Sequence, residues 1–215
     1  MTTPSARPPA GPPVRGAILA GGGATRFGGR PKGLEHVGGE RILDRLAHVL
    51  EAALGDLPLL VANVPEAVAW CPGLRVVPDV APGAGSLGGI YTALQAGPGP
   101  VVCVAWDMPF VPAGLIRQLA EEFAGYDAFL PESGGRRGVE PMCAAYGPAC
   151  APAIAARIRE GDFRAVSFHE SVKVGILSLG RVCRFGDPEF LFFNVNTAAD
   201  LAEADELWRR HGSSR

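Results

Sequence analysis

The chain alternates short, unbroken apolar runs with longer stretches in which apolar residues recur every three or four positions. Val14 to Ala20 is the first run, and it ends in Gly21-Gly22-Gly23, which predicts a buried strand feeding a glycine loop. Residues 41–54 place Ile42, Leu43, Leu46, Val49, Leu50 and Ala53 at helical spacing between charged residues. Further strands are expected at 58–62, 74–77, 101–105 and 127–131, separated by helices at 65–70, 87–96 and 112–123. The second half is looser, with strands expected at 138–146 and 172–179 and helices near 148–159, 162–168 and 197–210. Strands that are apolar throughout, rather than at every second residue, belong to a sheet covered on both faces. The pattern therefore predicts an α/β fold, a three-layer α/β/α sandwich around a mostly parallel, Rossmann-like sheet with an antiparallel addition in the second half.

Composition sharpens the boundaries. Residues 1–13 hold Pro4, Pro8, Pro9, Pro12 and Pro13 among small polar residues, which predicts a flexible tail without the apolar core of a secretion signal. No linker or internal repeat interrupts residues 14–215, so a single domain is expected there. A formal net charge of −2, with both signs spread along the chain, argues against nucleic acid or a membrane surface as partner. No apolar stretch is long enough to span a bilayer. The five cysteines, Cys71, Cys103, Cys143, Cys150 and Cys183, are odd in number and lack Cys-x-x-Cys spacing, which predicts reduced thiols in a cytoplasmic protein. Of 20 cationic side chains only Lys32 and Lys173 are lysines, so the lysine inside the glycine loop stands out.

Chemistry in such a sheet collects beyond the carboxyl ends of the strands, where strand order reverses. Polar residues do fall there: the glycine loop after the first strand, Asn63 after the second, Asp79 after the third and Asp107 after the fourth. The loop reads GGGATRFGGRPKG over residues 21–33. It is not the dinucleotide fingerprint, because Arg26 stands where the third glycine belongs, and it is not a P-loop, because Gly28 is followed by Gly29 and Arg30. Glycines interleaved with Arg26 and Lys32 after a buried strand nevertheless suit a polyphosphate. Each strand-end residue also has an ordinary structural explanation. Asn63 and Asp79 could form turns, and Asp107 could cap the helix near Pro112. Asn194 and Asn196 flank Val195, so an extended segment would project both to one side, toward a ligand or toward solvent.

Taken in order, Leu19-Ala20-Gly21-Gly22, Arg26, Gly28 and Lys32 resemble the signature of nucleotidyltransferases, and in particular of the molybdenum cofactor guanylyltransferases. The resemblance continues through Asn63, Asp79 with the 82–89 glycine loop, Asp107-Met108-Pro109 and the Asn194-Val195-Asn196-Thr197 segment. One departure is Ser86, at a position where that family commonly has proline. The resemblance implies transfer of GMP from GTP to the terminal phosphate of molybdopterin, with release of pyrophosphate. It implies GTP contacts from Leu19, Ala20, Gly21, Gly22, Lys32, Asn63, Asp79 and Asp107, and catalytic roles for Lys32, Arg26 and Asp107. Asp107 would hold Mg²⁺, and Asn194 and Asn196 would meet the second substrate. Arg136 and Arg137 could meet the pterin phosphate, although ordinary surface arginines explain them as well. Proteins of cofactor biosynthesis and acceptor molybdoenzymes are the implied partners. A cytidylyl or other nucleotidyltransferase acting on a pterin, sugar or isoprenoid phosphate, a regulatory nucleotide-binding module and a molybdopterin adaptor remain alternatives.

Overall fold

The computed structural model describes residues 13–21, 31–135 and 138–211. Its first half follows the expected alternation. Strand β1 (Arg15–Leu19) leads to a two-residue hairpin, β2 (His36–Val37) and β3 (Glu40–Arg41), and then to helix α1 (Ile42–Leu54). There follow β4 (Leu59–Val61), β5 (Arg75–Val77), α2 (Gly85–Gln95), β6 (Val101–Ala105) and α3 (Ala113–Glu122). The second half comprises β7 (Ala128–Pro131), β8 (Cys143–Tyr146), α4 (Cys150–Arg159), β9 (Val174–Leu177), the single turns α5 (Leu179–Val182) and α6 (Pro188–Leu191), and α7 (Ala198–His211).

Seven strands form one sheet in the order β5-β4-β1-β6-β8-β7-β9. All are parallel except β8, which runs against both β6 and β7. Alternate residues of one strand feed opposite faces. On β6, Val102 and Val104 pack with α1 residues Ile42, Leu46 and Leu50 and α3 residues Leu115 and Leu119. Val101 and Cys103 pack with Leu87 and Ile90 of α2 and Ile154 of α4. Two cores on one sheet are the three-layer sandwich that the unbroken apolar strands predict.

The departures lie in the second half and have local causes. Residues 162–168 are turns, not a helix. Gly161 adopts φ +77 and ends α4, and the Asp162 carboxylate accepts hydrogen bonds from both the backbone N–H and the guanidinium of Arg164 in a local Asx turn that no helix continues. The strand expected at 138–146 begins only at Cys143, because the Glu140 carboxylate takes the Met142 N–H and the chain turns there. The hairpin and the single turns α5 and α6 are too short to leave a periodic signal.

Candidate active site

β1 pairs with β4 on one side and β6 on the other, so the connections from these strands leave in opposite directions. A crevice opens where they part, beyond their carboxyl ends. Here it is a cleft of about 310 Å³ whose walls include Leu19, Ala20 and Gly21 after β1, Asn63 after β4, Asp79 after β5 and Asp107 after β6. Asn194 and Asn196 close it from the segment between α6 and α7. Eight of the site residues expected from the sequence thus share one wall or another of a single cleft. Lys32 joins them by contact. Gly22, Arg26 and Gly28 lie outside the described residues, as do Arg136, Arg137 and residues 1–12 of the tail.

The two flanks of the cleft are built differently. On one, the Lys32 ammonium lies 2.5 Å from Asp107 Oδ2 and donates a 2.9 Å hydrogen bond to Asn196 Oδ1. The pair is shielded, with side chains 16% and 13% exposed, so its attraction is weakly screened. Asp107 is held by its backbone, whose carbonyl accepts from Val195 N–H, and it does not cap α3, whose cap position is Pro112. Asp107 Oδ1 is buried and without a protein partner. A buried carboxylate oxygen left unpaired is costly, and a cation or a ligand hydrogen bond would relieve it. Asn194 uses its amide nitrogen on Phe192 O, leaving its own oxygen available toward the cleft it lines.

On the other flank Asn63, Asp79 and Thr92 are tied to backbone. Asn63 Oδ1 accepts the Asp79 N–H at 2.8 Å. Asp79 Oδ1 accepts from Ala81 N–H at 2.9 Å and from the Thr92 hydroxyl at 2.7 Å, and the same hydroxyl accepts the Val80 N–H at 3.0 Å. Asn63 and Asp79 therefore do form turns, and do so while lining the cleft. The 79–84 turn lies so close to α2 that a Cβ on Gly88 would come 2.8 Å from Ala81 O.

Sequence reasoning missed Thr92, Trp106, Met142 and Gly33. Thr92 had a signal, a lone hydroxyl among the apolar positions of α2. Met142 had none, because it reaches the cleft only through the reversed direction of β8. Three of the cysteines are buried structural thiols: burial pushes Cys103 and Cys143 far up from the ordinary thiol value and Cys150 up to about 12. No group of three or more His, Cys, Asp or Glu side chains among the described residues could hold a metal by itself. Asp107 fits a hard cation that draws its remaining ligands from phosphates and water.

A carboxylate and an ammonium held together at a switch point suit movement of a nucleoside monophosphate out of a triphosphate, and fold and cleft together define a nucleotidyltransferase. Similarity to known proteins narrows that class. Residues 16–173 match the MobA-like NTP transferase domain, and the chain belongs to that family. It is 36% identical over 190 residues to a probable molybdenum cofactor guanylyltransferase of Pelotomaculum thermopropionicum, covering 88% of this chain and 90% of that one. A molybdenum cofactor guanylyltransferase of Desulfosudis oleivorans is 31% identical, covering 89% and 94%. Among solved structures, the molybdopterin-guanine dinucleotide biosynthesis protein A of Archaeoglobus fulgidus superposes with a TM-score of 0.76 at 27% identity, over 92% of this chain and 100% of that one. No helix among the described residues is long and apolar enough to cross a membrane.

Proposed function

We propose that the chain transfers GMP from GTP to the terminal phosphate of molybdopterin, forming the guanine dinucleotide cofactor in the cytoplasm. A phosphate monoester has its second pKa near ~6, so the acceptor is largely ionised at neutral pH and needs no general base. One of its oxygens bonds to the α-phosphorus. The bond from that phosphorus to the bridging oxygen breaks, and pyrophosphate leaves with the electron pair. The work left to the protein is alignment of two polyanions and neutralisation of charge on the leaving group.

The observation that carries this reading is the unpaired, buried Oδ1 of Asp107 beside the Lys32 ammonium at the end of β6. Asp107 would hold Mg²⁺, which would supply positive charge against the phosphates. Lys32 supplies the mobile charge. Its flexible stem lets it leave Asp107 Oδ2 and follow the departing pyrophosphate, while Asn196 keeps a polar contact available to it. Leu19, Ala20, Gly21 and Gly22 present backbone to the nucleotide, Arg26 adds a second cation, and Asn63 and Asp79 border the base side. Asn194 faces the pterin phosphate. Choice of guanine follows the relatives of this chain, and the pterin acceptor does so as well.

The test is pyrophosphate release with molybdopterin, Mg²⁺ and each of the four nucleoside triphosphates, together with titration calorimetry of the triphosphates. GTP is expected to bind most tightly and to be the one consumed. Tighter binding and turnover of CTP would overturn the reading, as would metal-dependent turnover that survives Asp107→Ala.

A further inference from the structure

The two members of the charged pair come from distant parts of the chain, and one aromatic side chain touches the backbone of both segments. Trp106 immediately precedes Asp107 and is 3% exposed. Its backbone N–H donates to Leu19 O at 3.2 Å, which fixes the end of β6 to the end of β1. Its indole lies against Gly33, the residue after Lys32, and stacks on Trp70 with ring centroids 5.5 Å apart and planes 21° from parallel. A Cβ on Gly33 would fall 2.4 Å from Trp106 Cε3. Gly33 is not among the residues with positive φ, so the backbone would accept any L-residue and the ring alone excludes one.

The indole N–H is buried with no partner. Burying an unpaired N–H costs free energy that a phenylalanine would not incur, so hydrogen bonding does not account for a tryptophan here. What the larger ring adds is reach, from the Trp70 side of the core to the Lys32-Gly33-Leu34 turn. We propose that Trp106 is a positioning residue, a shelf that sets the turn at the height where the Lys32 ammonium meets Asp107 and Asn196. The inference rests on the roles proposed above for Lys32 and Asp107. Gly33 and Trp106 are then a matched pair, smallest residue against largest, whose fit is read out at Lys32.

The experiment is steady-state GMP transfer by Gly33→Ala, Trp106→Leu and the double variant, with thermal melts on each. Gly33→Ala lifts the turn from the ring and should lower kcat by roughly a hundredfold, the order expected when a catalytic group is displaced by about 1 Å, with KM for GTP changed much less. Trp106→Leu makes room for the new methyl, so the double variant should recover most of that kcat although its melting temperature is lower than that of Gly33→Ala. Trp106→Phe, which keeps a ring on Trp70 but shortens its reach, covers the case in which Gly33→Ala does not fold. It should lose about tenfold in kcat while melting near the parent. Additive losses of kcat in the double variant, or a parent-like kcat in Gly33→Ala or Trp106→Phe, overturn the positioning role. Lys32→Ala is measured alongside: parent-like turnover in that variant overturns the proposed function itself, whereas its collapse leaves the double variant to decide the role of Trp106.

Discussion

The two flanks of the cleft hold similar residue types in opposite ways. Asn63 Oδ1 accepts a backbone N–H, and Asp79 Oδ1 accepts a backbone N–H and the buried Thr92 hydroxyl, so both side chains are anchored before any ligand arrives. Lys32, Asp107 and Asn196 are bonded side chain to side chain, and Asp107 keeps one oxygen unpaired. The first flank is a fixed wall and the second is a set of exchangeable partners. Recognition of a rigid ligand part belongs with the former, and charge that changes during reaction belongs with the latter, since preorganised and mobile groups serve different steps.

Substitutions that remove an exchangeable partner should hit hardest and leave the fold alone. Asp107→Ala is expected to reduce kcat for GMP transfer by roughly 10²–10³, the order seen when one electrostatic stabiliser is lost, with melting near the parent. Lys32→Arg comes next, a loss of about tenfold or more in kcat, because a rigid planar fork replaces a compact charge on a flexible stem. Pyrophosphate-release kinetics check both, and parent-like turnover by Lys32→Arg would erase the distinction between the flanks. On the fixed wall the order reverses. Thr92→Val strands the Val80 N–H and one Asp79 contact, and should cost about 1–3 kcal/mol of stability in urea unfolding while raising KM for GTP more than it lowers kcat.

Two groups remote from both flanks give the pH baseline for these measurements. Burial holds the His169 imidazole below its ordinary value, so the unfolded chain binds that proton more readily. The stability is complete above the unfolded pKa and is lost as pH falls through the lower folded value. His169→Gln should therefore flatten melting temperature against pH below about 6.5, in melts from pH 8 to 5. The smallest effect is expected at Asp162, a surface residue whose carboxyl the Arg164 guanidinium holds down at about 2. Its contribution is present above the ordinary carboxyl value and fades as pH falls toward the folded one, so Asp162→Asn should move only the acid limb of the same curve, and only slightly.

The strand ends were legible because continuous apolar runs mark strands buried on both faces, and polar residues just beyond them stand out. That logic located Asn63, Asp79 and Asp107 without any contact being visible. It could not show which of them would be tied to backbone, because Asx turns leave the same residue types whether or not a ligand is bound. The contact of Lys32 with Asn196 joins positions 164 residues apart, a separation no local pattern encodes. Gly33 illustrates the limit best. Within a glycine-rich loop it looked interchangeable with its neighbours, and only the indole above it gives it a reason of its own. Residues 162–168 show the converse limit, since apolar spacing survives there while the chain makes only an Asx turn at Asp162 and a turn at 165–168.

The Trp70–Trp106 stack has an optical consequence. Two indoles at 5.5 Å share their excited states, so their transitions split and give a paired circular-dichroism band that neither ring would show alone. The third tryptophan of the chain, Trp208, lies 3.8 Å beneath the Arg45 guanidinium and stands apart from that couple. The molecule thus carries a built-in spectroscopic reporter beside its cleft, one that needs no attached dye.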